Sequence, residues 1–456
     1  MKKIITKTAS AAMAAVMLAM AGGCASKTTS DATTISIWTG DSHSKACVSQ
    51  LVADWNKTTG KEKGIYIDYQ VKEGSQNDII EMAIASKTEP VLFTCTDTKK
   101  YSEAGYIEAL EDMPGGAEFA ATYDKSDMTE GTHTWQGKTY KVPFYITTFG
   151  LVYNKDMFKK YGIVDENGEA KPPKTLAEMR EDAKVLTHPE NQEYGIILPL
   201  KNQWFFGSDI EYPVMRNRGY MAYNPTNGTY DFSGYKDIFN LYLGFKEDKT
   251  YFPGAEGIDD DQARAQFSTG NIGMKFAGSY DVGVYSEQFP AKCDWDVAPY
   301  PVSEEGTSYY TRIASDGYLA ISKRQAELID KEKIMEVYKW FHGEDMLRAL
   351  YKEGMAIPYD WDIVSDVTLE NPAKGWESFC KLAEESRVAP REPGVDISGE
   401  KGAKAVFLDE IWTGQTSVDD ACAALTERYN KGLERKLAQN TNIDLNDYIV
   451  KDWFDK

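Results

Sequence analysis

Residues 34–58 read TISIWTGDSHSKACVSQLVADWNKT, and their periodicity changes once, at a turn. Thr34 to Trp38 has the period-two character of a strand with one buried face. Gly40-Asp41-Ser42 supplies a turn. From Lys45 to Thr58 the apolar residues Val48, Leu51, Val52 and Trp55 fall in helical register. Strand, turn and helix in this order are the repeating unit of α/β folds.

The alternation continues downstream. Ile65 to Val71 predicts a second strand, Asn77 to Ser86 a helix, and Pro90 to Phe93 a short buried strand that ends at Thr94-Cys95-Thr96-Asp97. Such strands emit their loops at the carboxyl edge of an open sheet, where ligands of α/β proteins bind. Trp135 to Pro143 reads as a turn followed by an extended segment, Thr148 to Asn154 as a strand and Lys155 to Tyr161 as a helix, with Phe144 to Thr147 crossing between two lobes. Pro172-Pro173 interrupts the chain before Thr175 and Glu178, which are spaced to form a capping box. No internal repeat or low-complexity tract breaks the pattern.

Upstream, Lys2, Lys3 and Lys7 precede or open an apolar run, Ala11 to Ala21, that is too short to span a bilayer and ends in small residues. Residues 1–24 therefore read as a secretion signal. Ala21-Gly22-Gly23-Cys24 resembles a bacterial lipobox, with Ala21 where a bulky aliphatic residue is usual, so Cys24 is expected to carry the lipid and to anchor the chain outside the cytoplasm. Residues 25–33 then form a flexible tether.

The chain has 456 residues, and the mature part is longer than one compact core usually holds, so two lobes are expected. Its 71 acidic against 51 basic residues give a net charge of −20, which argues against nucleic acid and against an anion held by charge alone. A neutral ligand fits best. Cys47, Cys95, Cys293, Cys380 and Cys422 include no CxxC pair and read as free thiols packed as small apolar side chains. His43, His133, His188 and His342 have no metal-ligand spacing, and no GxSxG, HExxH or P-loop motif occurs. No metal, cofactor or catalytic residue is implied. Asp259-Asp260-Asp261 fails the EF-hand pattern and reads as an acidic helix start.

Six blocks then occur in one order: Trp135-Gln136-Gly137-Lys138-Thr139-Tyr140 with Val142-Pro143, Tyr153 to Phe158, Pro172 to Thr175, Phe267 to Met274, Gly278-Ser279-Tyr280, and Gly414 to Ser417 with Asp420-Ala421. In this order they resemble the family-1 extracellular solute-binding proteins, receptors of ABC importers that include the maltodextrin-binding type. The resemblance implies a two-lobed α/β binding fold with discontinuous lobes, three crossings and a ligand cleft between them. It places residues 34–144 and 300–355 in the first lobe and 145–299 and 356–456 in the second. It implies a monomeric receptor, not an enzyme, that hands a carbohydrate to membrane permease subunits.

Sugars offer apolar faces and a rim of hydroxyls, so their sites pair aromatic platforms with carboxylates, amides and Arg. The resemblance makes Tyr280 such a platform, with Asp281 beside it as an acceptor or a helix cap. It aligns Asp97 with an acidic position that bonds sugar hydroxyls, sets Asp41 and His43 on the loop after the first strand, and turns Tyr145 and Thr147 into the cleft. The family often carries a carboxylate near Thr147; its absence departs from the maltodextrin-binding type. Lys201 to Phe206 is too aromatic for a plain loop, which makes Trp204 a second platform. Arg312 and Asp316, and Tyr359 and Trp361 at the third crossing, complete the candidates. A secreted glycoside hydrolase and a receptor of the same fold for a peptide or polyamine are the alternatives.

Overall fold

The structure, a computed structural model, describes residues 32–456 apart from 73, 126, 305, 307, 310, 313–315, 385, 440–442 and 456. The signal and Cys24 lie outside the described residues. Strand β1 (Thr33–Thr39) buries Ile35 and Ile37, and helix α1 (Lys45–Lys57) returns over it with Val48, Val52 and Trp55 inward. β2 (Ile65–Val71), α2 (Gln76–Ser86) and β3 (Leu92–Thr94) repeat the unit, and β4 (Ile107–Glu108) follows. β2 and β3 flank β1 in parallel, while Leu319–Ser322 returns from late in the chain and lies antiparallel between β3 and β4. The helices Lys331–Phe341 and Glu344–Lys352 accompany that strand and pack back towards β1 and α1.

A second sheet is built from β5 (Phe149–Asn154), β6 (Tyr194–Ile196), β7 (Ile272–Gly278) and β8 (Trp295–Ala298), in the order β8-β5-β7-β6. β5 is antiparallel to both neighbours and β6 is parallel to β7. Every residue of β7 is buried, as for a central strand covered on both faces. One cover is the helix Leu176–Val185, opened by the capping box of Thr175 and Glu178 and packed through Met179 and Ala183, together with Lys236–Asp248 and Val418–Gln439. The other includes Phe267, Trp295 and Phe379.

Between the sheets, Pro143–Ile146 pairs on one edge with Asp316–Gly317 and on the other with Ile357–Pro358. The segments that pass between the two lobes thus form one three-stranded ribbon. Among the described residues, Cys47, Cys95, Cys293, Cys380 and Cys422 are free thiols, Cys47 half-buried and the others buried. Among the described residues, no helix is long and apolar enough to cross a membrane.

Candidate functional site

A cavity of about 700 Å³ opens where the loop after β1, the crossing strand and the far sheet's edge meet. Six residues expected in the site line it together: Asp41, His43, Tyr145, Thr147, Trp204 and Tyr280. Tyr280 stands two residues beyond Gly278, the last residue of β7. A Cβ on Gly278 would lie 2.6 Å from the Tyr280 ring, so only glycine leaves the ring room to rest there. The ring faces His43 at 6.0 Å with 12° between planes, and Phe149 meets it edge-on at 6.1 Å. Phe149 in turn lies 4.2 Å from Tyr212.

The segment Lys201 to Phe206 divides its aromatics. Phe205 and Phe206 are buried against Phe407 in the second core, whereas Trp204 is 72% exposed and turned to the cavity. An exposed indole beside buried neighbours has no part in the core.

Other candidates lie elsewhere. Asp97 accepts the Lys100 backbone N–H at 2.9 Å and caps the helix Thr98–Glu103; it is exposed and does not line the cavity, because the chain turns into that helix directly after β3. Asp281 is fully buried below the cavity, where Arg264 Nε donates to its Oδ1 at 2.7 Å, so its oxygens serve an ion pair rather than a ligand. Tyr359 packs on Tyr123 at 5.2 Å and Trp361 on Tyr351 at 6.1 Å; from that return segment it is Met355 that reaches the cavity. Arg312 pairs through its backbone with Val388 and Asp316 with Tyr145, while their side chains lie outside the described residues.

The sequence reading missed a charge network under Tyr280. Arg264, on the helix Asp260–Ser268, pairs with Asp260 at 2.8 Å, Asp261 at 2.9 Å and Asp281 at 2.7 Å, and its Cζ is 5.4 Å from the Tyr280 ring centre. Lys275, in the all-buried β7, contacts Asp260 at 3.0 Å and Asp281 at 3.4 Å. Burial works against both cations, yet the Asp260 and Asp281 carboxylates beside them hold both above their ordinary range. Burial likewise opposes the charge of Asp260, and Lys275 and Arg264 overcome it, keeping that carboxyl low. A lysine inside Ile272-Gly273-Met274-Lys275-Phe276 was the available signal, since an apolar strand admits such a residue only with a partner.

Asp259 caps the same helix, accepting from the Gln262 backbone N–H at 3.0 Å. With Asp41 and Asp261 it lines the cavity with acceptors, while Asn202, Ser208 and Ser279 add amide and hydroxyl groups. Flat aromatic surface beside a rim of hydrogen-bonding groups suits a ligand with apolar faces and many hydroxyls.

The family model for bacterial extracellular solute-binding proteins matches residues 44–346. The maltotriose-binding protein of Pyrococcus abyssi (strain GE5 / Orsay) is 22% identical over 383 residues, 82% of this chain and 76% of that one. Among solved structures, the GacH receptor of Streptomyces glaucescens, studied unliganded and with acarbose, superposes with a TM-score of 0.66 at 18% identity, covering 88% of this chain and 99% of that one. The ABC substrate-binding protein Lmo0181 of Listeria monocytogenes, in complex with cycloalternan, gives 0.64 at 17% identity over 89% of this chain and all of that one. Both show the same two-lobed fold.

Proposed function

The chain belongs to the bacterial extracellular solute-binding proteins, and on that premise we propose that it binds a neutral oligosaccharide in the interlobe cavity and delivers it to an ABC permease. The observation that carries the reading is the pairing of Trp204 and Tyr280 with the acceptors Asp41, Asp259 and Asp261 around one cavity. About 700 Å³ is in the range of small-molecule sites and has room for more than one pyranose. The names of the relatives, a maltotriose-binding protein and receptors crystallised with acarbose and cycloalternan, point the same way.

The chain acts by binding rather than catalysis. Asp260, held ionised by Lys275 and Arg264, is unsuited to donate a proton as a glycosidase acid must. Its lobes are residues 34–144 with 300–355 and 145–299 with 356–456; the membership of the two sheets supports this division except at the return crossing. Val302 bonds to Lys174 and Leu176 and Tyr309 to Arg216, so Val302 and Tyr309 lie with the second lobe and the return crossing falls at Asp316–Gly317. The chain is anchored through Cys24 and works as a monomer. A ligand gripped from both lobes favours the closed form only through contacts made there, so His43 and Asp41 on one side and Tyr280 and Trp204 on the other all contribute.

Calorimetry against a broad glycan panel tests the assignment. Binding at micromolar or tighter affinity, with compaction seen by small-angle scattering, is the expected outcome; silence across the panel removes the carbohydrate reading. Release of shorter sugars on incubation with oligosaccharides would make the protein an enzyme instead.

A further inference from the structure

Asp209 stands one residue behind the cavity wall, on the π-helical segment Phe206–Glu211. Its neighbour Ser208 lines the cavity, and Ser208 Oγ lies 2.6 Å from Asp209 Oδ1. Asp209 is 2% exposed, and among the described residues its Oδ2 has no hydrogen-bond partner. The nearby cations are already matched: Lys275 and Arg264 are each paired with both Asp260 and Asp281. Among the described residues no ion pair is left for a third carboxylate, and an ionised group buried without one is costly.

We propose that Asp209 is a positioning residue for the ligand: it holds a proton on Oδ1, donates it to Ser208 Oγ, and so leaves the Ser208 hydroxyl free to donate into the cavity. This rests on the cavity being the ligand site. Its value there comes from the company Ser208 keeps. Asp41, Asp259 and Asp261 offer acceptors, and Ser208 joins Asn202 and Ser279 in offering donors. A sugar hydroxyl that donates to one of the three aspartates needs a donor for its own lone pairs. If Asp209 is ionised, the Ser208 hydrogen is tied to it and the wall loses that donor; the other acceptors for this hydrogen, the Trp204 and Phe205 carbonyls, lie farther off at 3.3 and 3.4 Å.

Burial pushes the Asp209 carboxyl up to about 7, so the switch falls near neutrality. Facing it are Lys275 from β7, which with the Ser208 hydrogen bond favours ionisation, and Asp260 and Asp281, which oppose it. The Tyr242 hydroxyl donates to the Asp209 carbonyl at 3.2 Å and that of Tyr300 to the Ser208 carbonyl at 2.8 Å; burial keeps both phenols neutral.

Maltotriose is the probe, titrated by calorimetry at about pH 5.5 and about pH 8.5, either side of the switch. Wild type should bind roughly fivefold more weakly at the higher pH, the worth of one neutral hydrogen bond. Asp209→Asn, whose amide donates to Ser208 at any pH, should keep the tighter affinity and lose the slope; Ser208→Ala should be weak and flat. A flat wild-type profile, or a slope that survives in Asp209→Asn, overturns the proposal. An infrared titration of the unliganded protein decides the proton independently. Glu211, pushed up to about 7 by burial and by Glu392, absorbs in the same range, so the readout is the wild-type minus Asp209→Asn difference. A protonated carboxyl band in that difference, bleaching as pH rises through neutrality, supports the assignment, and its absence overturns it. Failure of maltotriose to bind at either pH would count against that sugar while leaving the infrared result to decide on Asp209.

Discussion

Tyr280 lays its ring over Gly278, so closely that a methyl group on the glycine would lie 2.6 Å from the ring's Cε1. The nearest atoms all belong to that one side chain, which can swing aside. Gly278→Ala should therefore evict the ring rather than unfold the strand. Oligosaccharide affinity is expected to fall about tenfold, as for Tyr280→Ala, while stability changes by less than about 1 kcal/mol. Calorimetry and thermal denaturation of the two variants check this; unchanged affinity in both removes Tyr280 from the site.

Trp204 and Phe205 make an internal comparison one residue apart. Trp204 is 72% exposed and Phe205 fully buried. Trp204→Ala should leave stability within about 0.5 kcal/mol and weaken the sugar complex. Phe205→Ala should cost about 3–5 kcal/mol. Urea unfolding separates the two, and a large stability loss in Trp204→Ala would mean that the indole belongs to the core.

Lys275→Met leaves Asp260 and Asp281 to share Arg264 in a buried place. Removing one partner of such a network costs about 3–5 kcal/mol, because the charges left behind have lost both water and partner. The expected result is a lower urea midpoint with an unchanged slope. A variant as stable as wild type would show that the lysine contributes nothing net.

His342 gives the fold an acid sensitivity away from the cavity. It is 3% exposed, its Nδ1–H donates to the Tyr338 carbonyl at 2.9 Å, and its buried Nε2 has no partner among the described residues. Burial pushes its pKa down from 6.5 to about 4. The unfolded chain then binds the proton first, so stability is complete above about pH 6.5 and is lost as pH falls towards 4, by about 3 kcal/mol in all. His342→Asn, which keeps a donor for Tyr338 and cannot titrate, should flatten that part of the stability profile in urea titrations. An equal slope in the variant would assign the loss to other groups.

What the sequence made legible was mostly local. Ile65 to Val71 is the strand its alternation implies, and Thr175 with Glu178 closes the capping box their spacing allows. The loop after β1 and the crossing strand bring Asp41, His43, Tyr145 and Thr147 to one cavity because strand ends and crossings are set by order along the chain. Asp97 misled because a carboxylate that caps a helix and one that meets a sugar look alike in sequence. The network of Arg264, Lys275, Asp260 and Asp281 depended on contacts that only the packed helix and strand create. Asp209 escaped for a related reason, since its isolation follows from how its neighbours' charges are already matched.

The ribbon of Pro143–Ile146 with its two flanking strands has a mechanical consequence. Three separate tethers would let the halves of the molecule slide, shear and twist independently. Stitched edge to edge by backbone hydrogen bonds, they flex together as a leaf spring does, stiff in its plane and compliant across it. Motion between the halves is therefore expected to follow a swing about one line, which would carry Tyr280 towards and away from His43 along a single path.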